Sequence, residues 1–189
     1  DVGDMEAQAF LDFFTNHGLL QFRDRPQWRT VRGGSRRYVG KLLAEPGISL
    51  ELGSPVERVE RRADGVRLST AAGTRRFDDV VLATHADRSL AMLGDASADE
   101  RRVLGAFEYA PSTAWLHTDQ TLMPRRRSAW ASWNYIGARD GRLCVTYWMN
   151  QLQPLGTERD VFVTLNPPRE PRGVLGRFEY EHPVLNTQT

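Results

Sequence analysis

The stretch that decides the fold is PVERVERRADGVRLSTAAGTRRFDDVVLATHA, residues 55–86. Val56, Val59, Val66 and Leu68 alternate with charged neighbours, the period of a strand with one wet face. Asp64-Gly65 and Ala72-Gly73 punctuate that pattern as turns, so three strands follow one another as a meander. The run Val80, Val81, Leu82, Ala83 is continuously apolar, which predicts a strand buried on both faces and leading into a helix through "DRSLAML".

Upstream, "MEAQAFLDFFTN", residues 5–16, spaces Phe10, Phe13 and Phe14 as a helix. "LLQF", "WRTV" and "ISLEL" read as short extended runs. Gly33-Gly34 then separates "WRTV" from a helix introduced by Ser35, with Tyr38, Val39, Leu42 and Leu43 on one stripe. Downstream, Ser97 and Glu100 have capping-box spacing at the head of another helix. The pattern then turns to strands in "STAWLHTD", "AWASWNYIG", "LCVTYWMNQ" and "VFVTLNP", with "ARDGR", residues 138–142, as a tight turn. "PPREPRGVLGRFEYEHP" reads as loop, a short helix or turn, and a final extended piece. The expected fold class is α+β: a larger mixed or antiparallel sheet with flanking helices, plus a small β-meander.

Composition narrows the function. The chain has 189 residues, 40% hydrophobic, with a formal net charge of +1. Its 25 Lys and Arg include a single lysine, Lys41, and are interleaved with 24 Asp and Glu, which argues against a nucleic-acid partner. No run reaches the ~18 apolar residues of a membrane span, and no secretory leader pattern is visible. Cys144 is alone, so no intrachain disulfide and no thiolate metal cluster can form. The four histidines, His17, His85, His117 and His182, show no metal-ligand spacing, and no metal is expected. His117 in a strand reads as a hydrogen-bonded core residue and Cys144 as a small buried hydrophobe. A reduced, cytoplasmic setting fits this usage.

Aromatic residues alternate along the later strands. Trp133 and Tyr135 share one face, as do Tyr147 and Met149, and Trp115 and His117. Such rings form either an aromatic floor for a flat or long apolar substrate, or ordinary core. No nucleophile elbow, P-loop or G-x-G-x-x-G is present, and no catalytic residue can be assigned.

"WRTVRGGSRRYVGKLL", "ISLELGSPVERVERRADGVRLST" and "FDDVVLATHADRSLAML" together resemble the middle of flavin-dependent amine oxidases and their relatives. Leu116-His117-Thr118-Asp119, Leu122-Met123-Pro124, Trp133-Asn134-Tyr135 and His182-Pro183-Val184 with Asn186-Thr187 extend the likeness over most of the chain. The resemblance implies an FAD-dependent oxidoreductase acting on a small apolar or amine substrate by hydride transfer to flavin. It implies that Val56, Ala83 and Thr84 lie against FAD, with Val56 using backbone groups toward the adenine. It also implies that Gly33, Gly34 and Arg37, with the aromatic Trp133, Tyr135 and Tyr147, border the substrate cavity.

By the same likeness, residues 1–45 and 93–189 belong to a substrate domain and 46–92 to the FAD-binding part. The family's phosphate-binding glycine turn and its glycine-rich flavin cover have no counterpart in this sequence. The resemblance therefore implies an internal piece of a longer protein, inactive alone and not expected to retain FAD tightly. Many members also place a lysine on the strand matching "PSTAWLHTD"; this chain has none there. A different reading stays open, a non-catalytic module that binds an apolar ligand or partner protein through the aromatic sheet. Oligomeric state is not legible.

Overall fold

Two turns of fixed handedness create the meander. The computed structural model describes residues 7–24, 26–137 and 143–184. β1 (Val56–Arg62), β2 (Gly65–Thr70) and β3 (Gly73–Phe77) form an antiparallel sheet in that order. Gly65 opens β2 at φ +130°, where a Cβ would lie 2.5 Å from the Phe77 carbonyl oxygen, so only glycine fits. Val59 is buried, and Val59↔Leu68 and Arg61↔Val66 set the register, as the alternation predicts. Glu57 is an extra residue in β1, since Val56 pairs with Thr70 and Arg58 with Ser69.

The chain divides into two compact units. One comprises Asp1–Gln21, Ser49–Tyr109 and Pro183–Thr189, the other Phe22–Ile48 and Ala110–His182. In the first, α1 (Ala7–Asn16) precedes the meander, and α3 (Ala86–Met92) and α4 (Ala98–Leu104) follow it. Residues 93–109 thus group with the meander rather than with the later sheet, because Arg61 ties β1 to α4. Its guanidinium donates to both carboxylate oxygens of Glu100 at 2.8 and 2.9 Å and to Asp95 Oδ2 at 3.0 Å. Glu100 also completes the expected capping box with Ser97, and these contacts hold its pKa down at about 2.

Two expected strands do not form. "ISLEL" is irregular, with Ile48, Leu50 and Leu52 exposed. Val80–Ala83 is extended but unpaired, and Val81 is 90% exposed. A strand buried on both faces needs neighbours on both edges, and none among the described residues pairs with it.

The second unit contains α2 (Arg36–Leu43) and most of a five-stranded sheet. Its strands are β4 (Tyr109–His117), β5 (Trp133–Gly137), β6 (Leu143–Trp148), β7 (Phe162–Leu165) and β8 (Val174–Pro183), in the order β5-β6-β7-β4-β8. The β5–β6, β6–β7 and β4–β7 pairs are antiparallel. The chain is therefore α+β as expected. Met149–Leu152 turns away from β6 as the short helix α5 instead of prolonging the strand. β8, ten residues long, is the expected final extended piece after the expected loop, and it starts at Val174, where a short helix or turn was expected. The "ARDGR" turn, Asn186-Thr187 and the start of the first helix lie outside the described residues.

One face of this sheet is sealed. His117, Thr146, Phe162 and Thr164 are fully buried there, and Cys144 is buried beside them, as expected of a small hydrophobe. His117 Nδ1 accepts the Asp119 N–H at 3.0 Å, so the neutral ring carries its proton on Nε2, which donates to Thr164 Oγ1 at 2.7 Å. Thr164 Oγ1 in turn lies 2.9 Å from Thr146 Oγ1. Burial lowers the His117 pKa; the Asp119 carboxylate opposes that effect and Arg169 reinforces it. Burial alone would raise the Asp119 pKa, but hydrogen bonds from Thr121, the Arg172 N–H and Arg169 keep it well below the usual range.

These shifts predict acid lability in two steps. A histidine whose folded pKa lies below 6.5 binds more protons unfolded than folded, so stability rises with pH in that window. Stability should fall as pH drops below about 6.5, and fall again below about 3.8 as Asp119 protonates. Urea melts of the parent and of His117→Gln from about pH 8 to about pH 5, which spans the histidine range, check the first step. The glutamine variant should lose the slope; an unchanged slope contradicts the assignment.

Candidate functional site

The opposite face of the sheet is open, and strand alternation decides what it carries. Trp133 stands across from Tyr147, Tyr147 from Val163, and Val163 from Leu116. Directly opposed residues share a face, so these side chains form one row across four strands. Tyr135, Val145, Leu165 and Ala114 form the next row. Trp133 and Tyr135 are 56% and 65% exposed. Of the residues expected in a substrate cavity, Trp133, Tyr135 and Tyr147 therefore converge on one solvent-open face. Trp115 and His117 point to the sealed side, and Met149 belongs to α5.

Two concavities shape the open side of this unit. A trough of about 420 Å³ is lined by Ala114, Leu116, Tyr147, Val163, Leu165 and three residues of β8: Phe178, Tyr180 and His182. A second cleft, of about 770 Å³, lies among Trp28–Thr30, Ser132, Trp133 and residues 149–154. The β8 residues and those around Trp28 and α5 escaped the sequence reading. For β8 a signal existed: Phe178, Tyr180 and His182 alternate with Glu179 and Glu181, a period of two.

Gly33, Gly34 and Arg37 line neither concavity. Their geometry is a turn into α2. Gly34 N donates to the Val31 carbonyl at 2.9 Å, and Arg37 N to the Gly34 carbonyl at 3.1 Å. Both glycines have positive φ, +84° and +80°. A Cβ on Gly33 would meet the Arg37 side chain at 3.2 Å, while nothing lies within 4 Å of one on Gly34. Backbone handedness, not close packing, is what requires Gly34.

In the meander unit the cofactor candidates present backbone. The Val59 carbonyl faces outward from β1 and accepts the Gly94 N–H at 2.9 Å. In a regular ladder the next outward residue would be Glu57, but the extra residue shifts the alternation and turns Val56 outward. Its backbone groups then point to the outer edge of β1, where they could meet a ligand. Ala83 and Thr84 are exposed at the end of the unpaired run, with the Thr84 hydroxyl held 2.8 Å from Ser89 Oγ. Val80–Ala83 makes no backbone hydrogen bond among the described residues. A cleft of about 650 Å³ beside it is lined by Val80, Leu82, Val59, Val66 and the α3–α4 pair. An exposed backbone edge and a fixed hydroxyl fit a ligand read through its hydrogen-bonding edge, such as adenine.

Comparison with known proteins follows this geometry. Residues 2–155 match the family described as flavin containing amine oxidoreductase. Among solved structures the chain is similar to the "CLA-producing fatty acid isomerase from P. acnes", at 14% identity and a TM-score of 0.49. That match covers 81% of this chain and 40% of the other, so the chain spans well under half of that protein. No curated protein matches. No helix among the described residues is long and apolar enough to cross a membrane, and no group of metal-binding side chains is found among them.

The Gly34 geometry predicts a graded response. Gly34→Val should lower stability in urea by about 1–3 kcal/mol. Gly34→Asn should cost less, because asparagine enters the left-handed region more readily. Equal losses for the two variants would show that φ is not the constraint.

Proposed function

Because the chain belongs to the flavin containing amine oxidoreductase family, we propose that it supplies the adenine-side wall and the substrate wall of an FAD-dependent oxidoreductase. The observation that carries this reading is the unequal sheet, sealed on one face and aromatic and open on the other. FAD, when bound, supplies acceptance of a hydride from a substrate C–H bond. Around it, this chain's residues bind and orient. The outward edge of Val56 would hold the adenine, and Ala83 and the Ser89-fixed Thr84 would border the adenosine portion. Trp133, Tyr135 and Tyr147 form an aromatic wall against which an apolar substrate would lie, displacing water from their exposed rings.

Gly33 and Gly34 set the direction of α2 and so where Arg37 stands, outside both concavities. No lysine stands on β4, so proton handling by a lysine-held water is not assigned to this chain. The substrate is a small molecule, and a cytoplasmic setting fits the lone Cys144, whose thiol burial pushes up out of the reactive range.

The test uses this chain and the whole protein in parallel. The 189-residue chain should purify without flavin absorbance, and the whole protein with it. In the whole protein, Tyr147→Ala should raise KM about tenfold, ~1.4 kcal/mol of binding, at unchanged flavin content. Stoichiometric flavin on the 189-residue chain would contradict the division of labour. A whole protein free of flavin would favour the binding-module alternative.

A further inference from the structure

We infer that the substrate of this wall is an anionic amphiphile, with its apolar chain in the β6–β7–β4–β8 trough and its carboxylate or equivalent head at Arg29. The inference rests on the substrate-wall reading and adds to it the polarity and orientation of the ligand. The trough and the Trp28 cleft open on the same sheet face, since Trp133 in the cleft stands directly across from Tyr147 in the trough. Their linings differ in kind. The trough contains no charged side chain; its polar groups are the hydroxyls of Tyr147 and Tyr180 and the ring of His182. From β6 to β8 it crosses three strand spacings, roughly 14 Å, which suits an extended hydrocarbon chain.

The cleft is where charge enters. Arg29 is the one charged residue of its lining, and no carboxylate shares the space. Arg29 makes no ion pair among the described residues. Gln151 and Gln153 stand beside it with amides uncommitted among the described residues, whereas the Asn150 amide is spent on Arg159, Thr157 and Val161 backbone. A fork of guanidinium donors flanked by amides matches a carboxylate, phosphate or sulfate head. It repels an ammonium, which would require a carboxylate or a closed aromatic cage. The exposed Trp28 and Trp133 rings flank the passage between head and chain.

The experiment is a calorimetric titration of the full 189-residue chain with dodecanoate, dodecanol and dodecylamine, each kept below micelle formation. Dodecanoate should bind at least tenfold more tightly than dodecylamine. Arg29→Gln should weaken dodecanoate about tenfold and leave dodecanol unchanged, while Arg29→Lys should retain most of the preference. Leu116→Gln, in the trough floor, should weaken all three, with circular dichroism confirming the fold. Dodecylamine binding as tightly as dodecanoate, or Arg29→Gln leaving dodecanoate unchanged, overturns the head assignment and spares the apolar wall. No binding by any of the three, or binding untouched by Leu116→Gln, overturns the trough and the substrate wall with it. Flavin content of the whole protein is independent of Arg29 and keeps the family reading separate from both outcomes.

Discussion

The carboxylate of Asp160 is the contact on which the sheet unit depends. Its two oxygens receive the Arg127 guanidinium at 2.8 and 3.2 Å, the Trp148 indole N–H at 3.0 Å and the Gln120 amide at 3.0 Å. The guanidinium stacks over Trp130 and Trp148, with its carbon 4.5 and 5.3 Å from the ring centres. Trp130 packs edge-on against Trp148 and Phe162. One anion thereby gathers the connecting segments 118–130 and 153–161 onto one face of β6 and β7. Arg127 holds that carboxyl below its usual pKa, Trp148 and Gln120 add to the effect, and burial opposes it. Removing the carboxylate would leave a partly buried indole N–H without its acceptor and a stacked cation without its counter-ion.

Sealing one face determines the other. A five-stranded sheet has two apolar rows, and the segments ordered by Asp160 cover only the row of His117, Phe162 and Thr164. Trp133, Tyr147 and Phe178 are left on the open side. In the meander unit a comparable asymmetry comes from the extra residue at Glu57, which turns Val56 outward, and from a Val80–Ala83 run that no strand pairs. The proposed division into a substrate wall and a nucleotide wall rests on these two surfaces, exposed aromatic rings in one unit and an exposed backbone edge in the other.

The sequence made the meander legible because its turns and its alternation are local. Asp64-Gly65, Ala72-Gly73 and the Ser97–Glu100 capping box each depend on neighbours within a few residues. Val80–Ala83 misled for the opposite reason. An apolar run states only that burial is required, and its partners are nonlocal. "PPREPRG" is loop as it reads, and the extended piece that follows it is β8, whose alternation from Phe178 to His182 carried the strand signal; only its early start at Val174 was not legible. Arg29, Gln151 and Gln153 could not be found by pattern, since they meet only through the placement of "WRTV" beside Trp133 and residues 149–154. The convergence of Trp133, Tyr135 and Tyr147 was readable as shared parity on separate strands, but the sheet order that joins them was not.

The inequality of the two faces is tested most directly by thiol reactivity in the native chain. Cys144 lies on the sealed face at 2% exposure, and burial holds its thiol up out of the thiolate range. It should resist a disulfide reagent such as dithionitrobenzoate until the chain unfolds. A second thiol placed on the open face as Tyr147→Cys, beyond a Cys144→Ala background, should react in the native state and become protected when dodecanoate is added. Rapid native reaction of Cys144, or a Tyr147→Cys thiol as inert as Cys144, would contradict the account of one sealed and one open face.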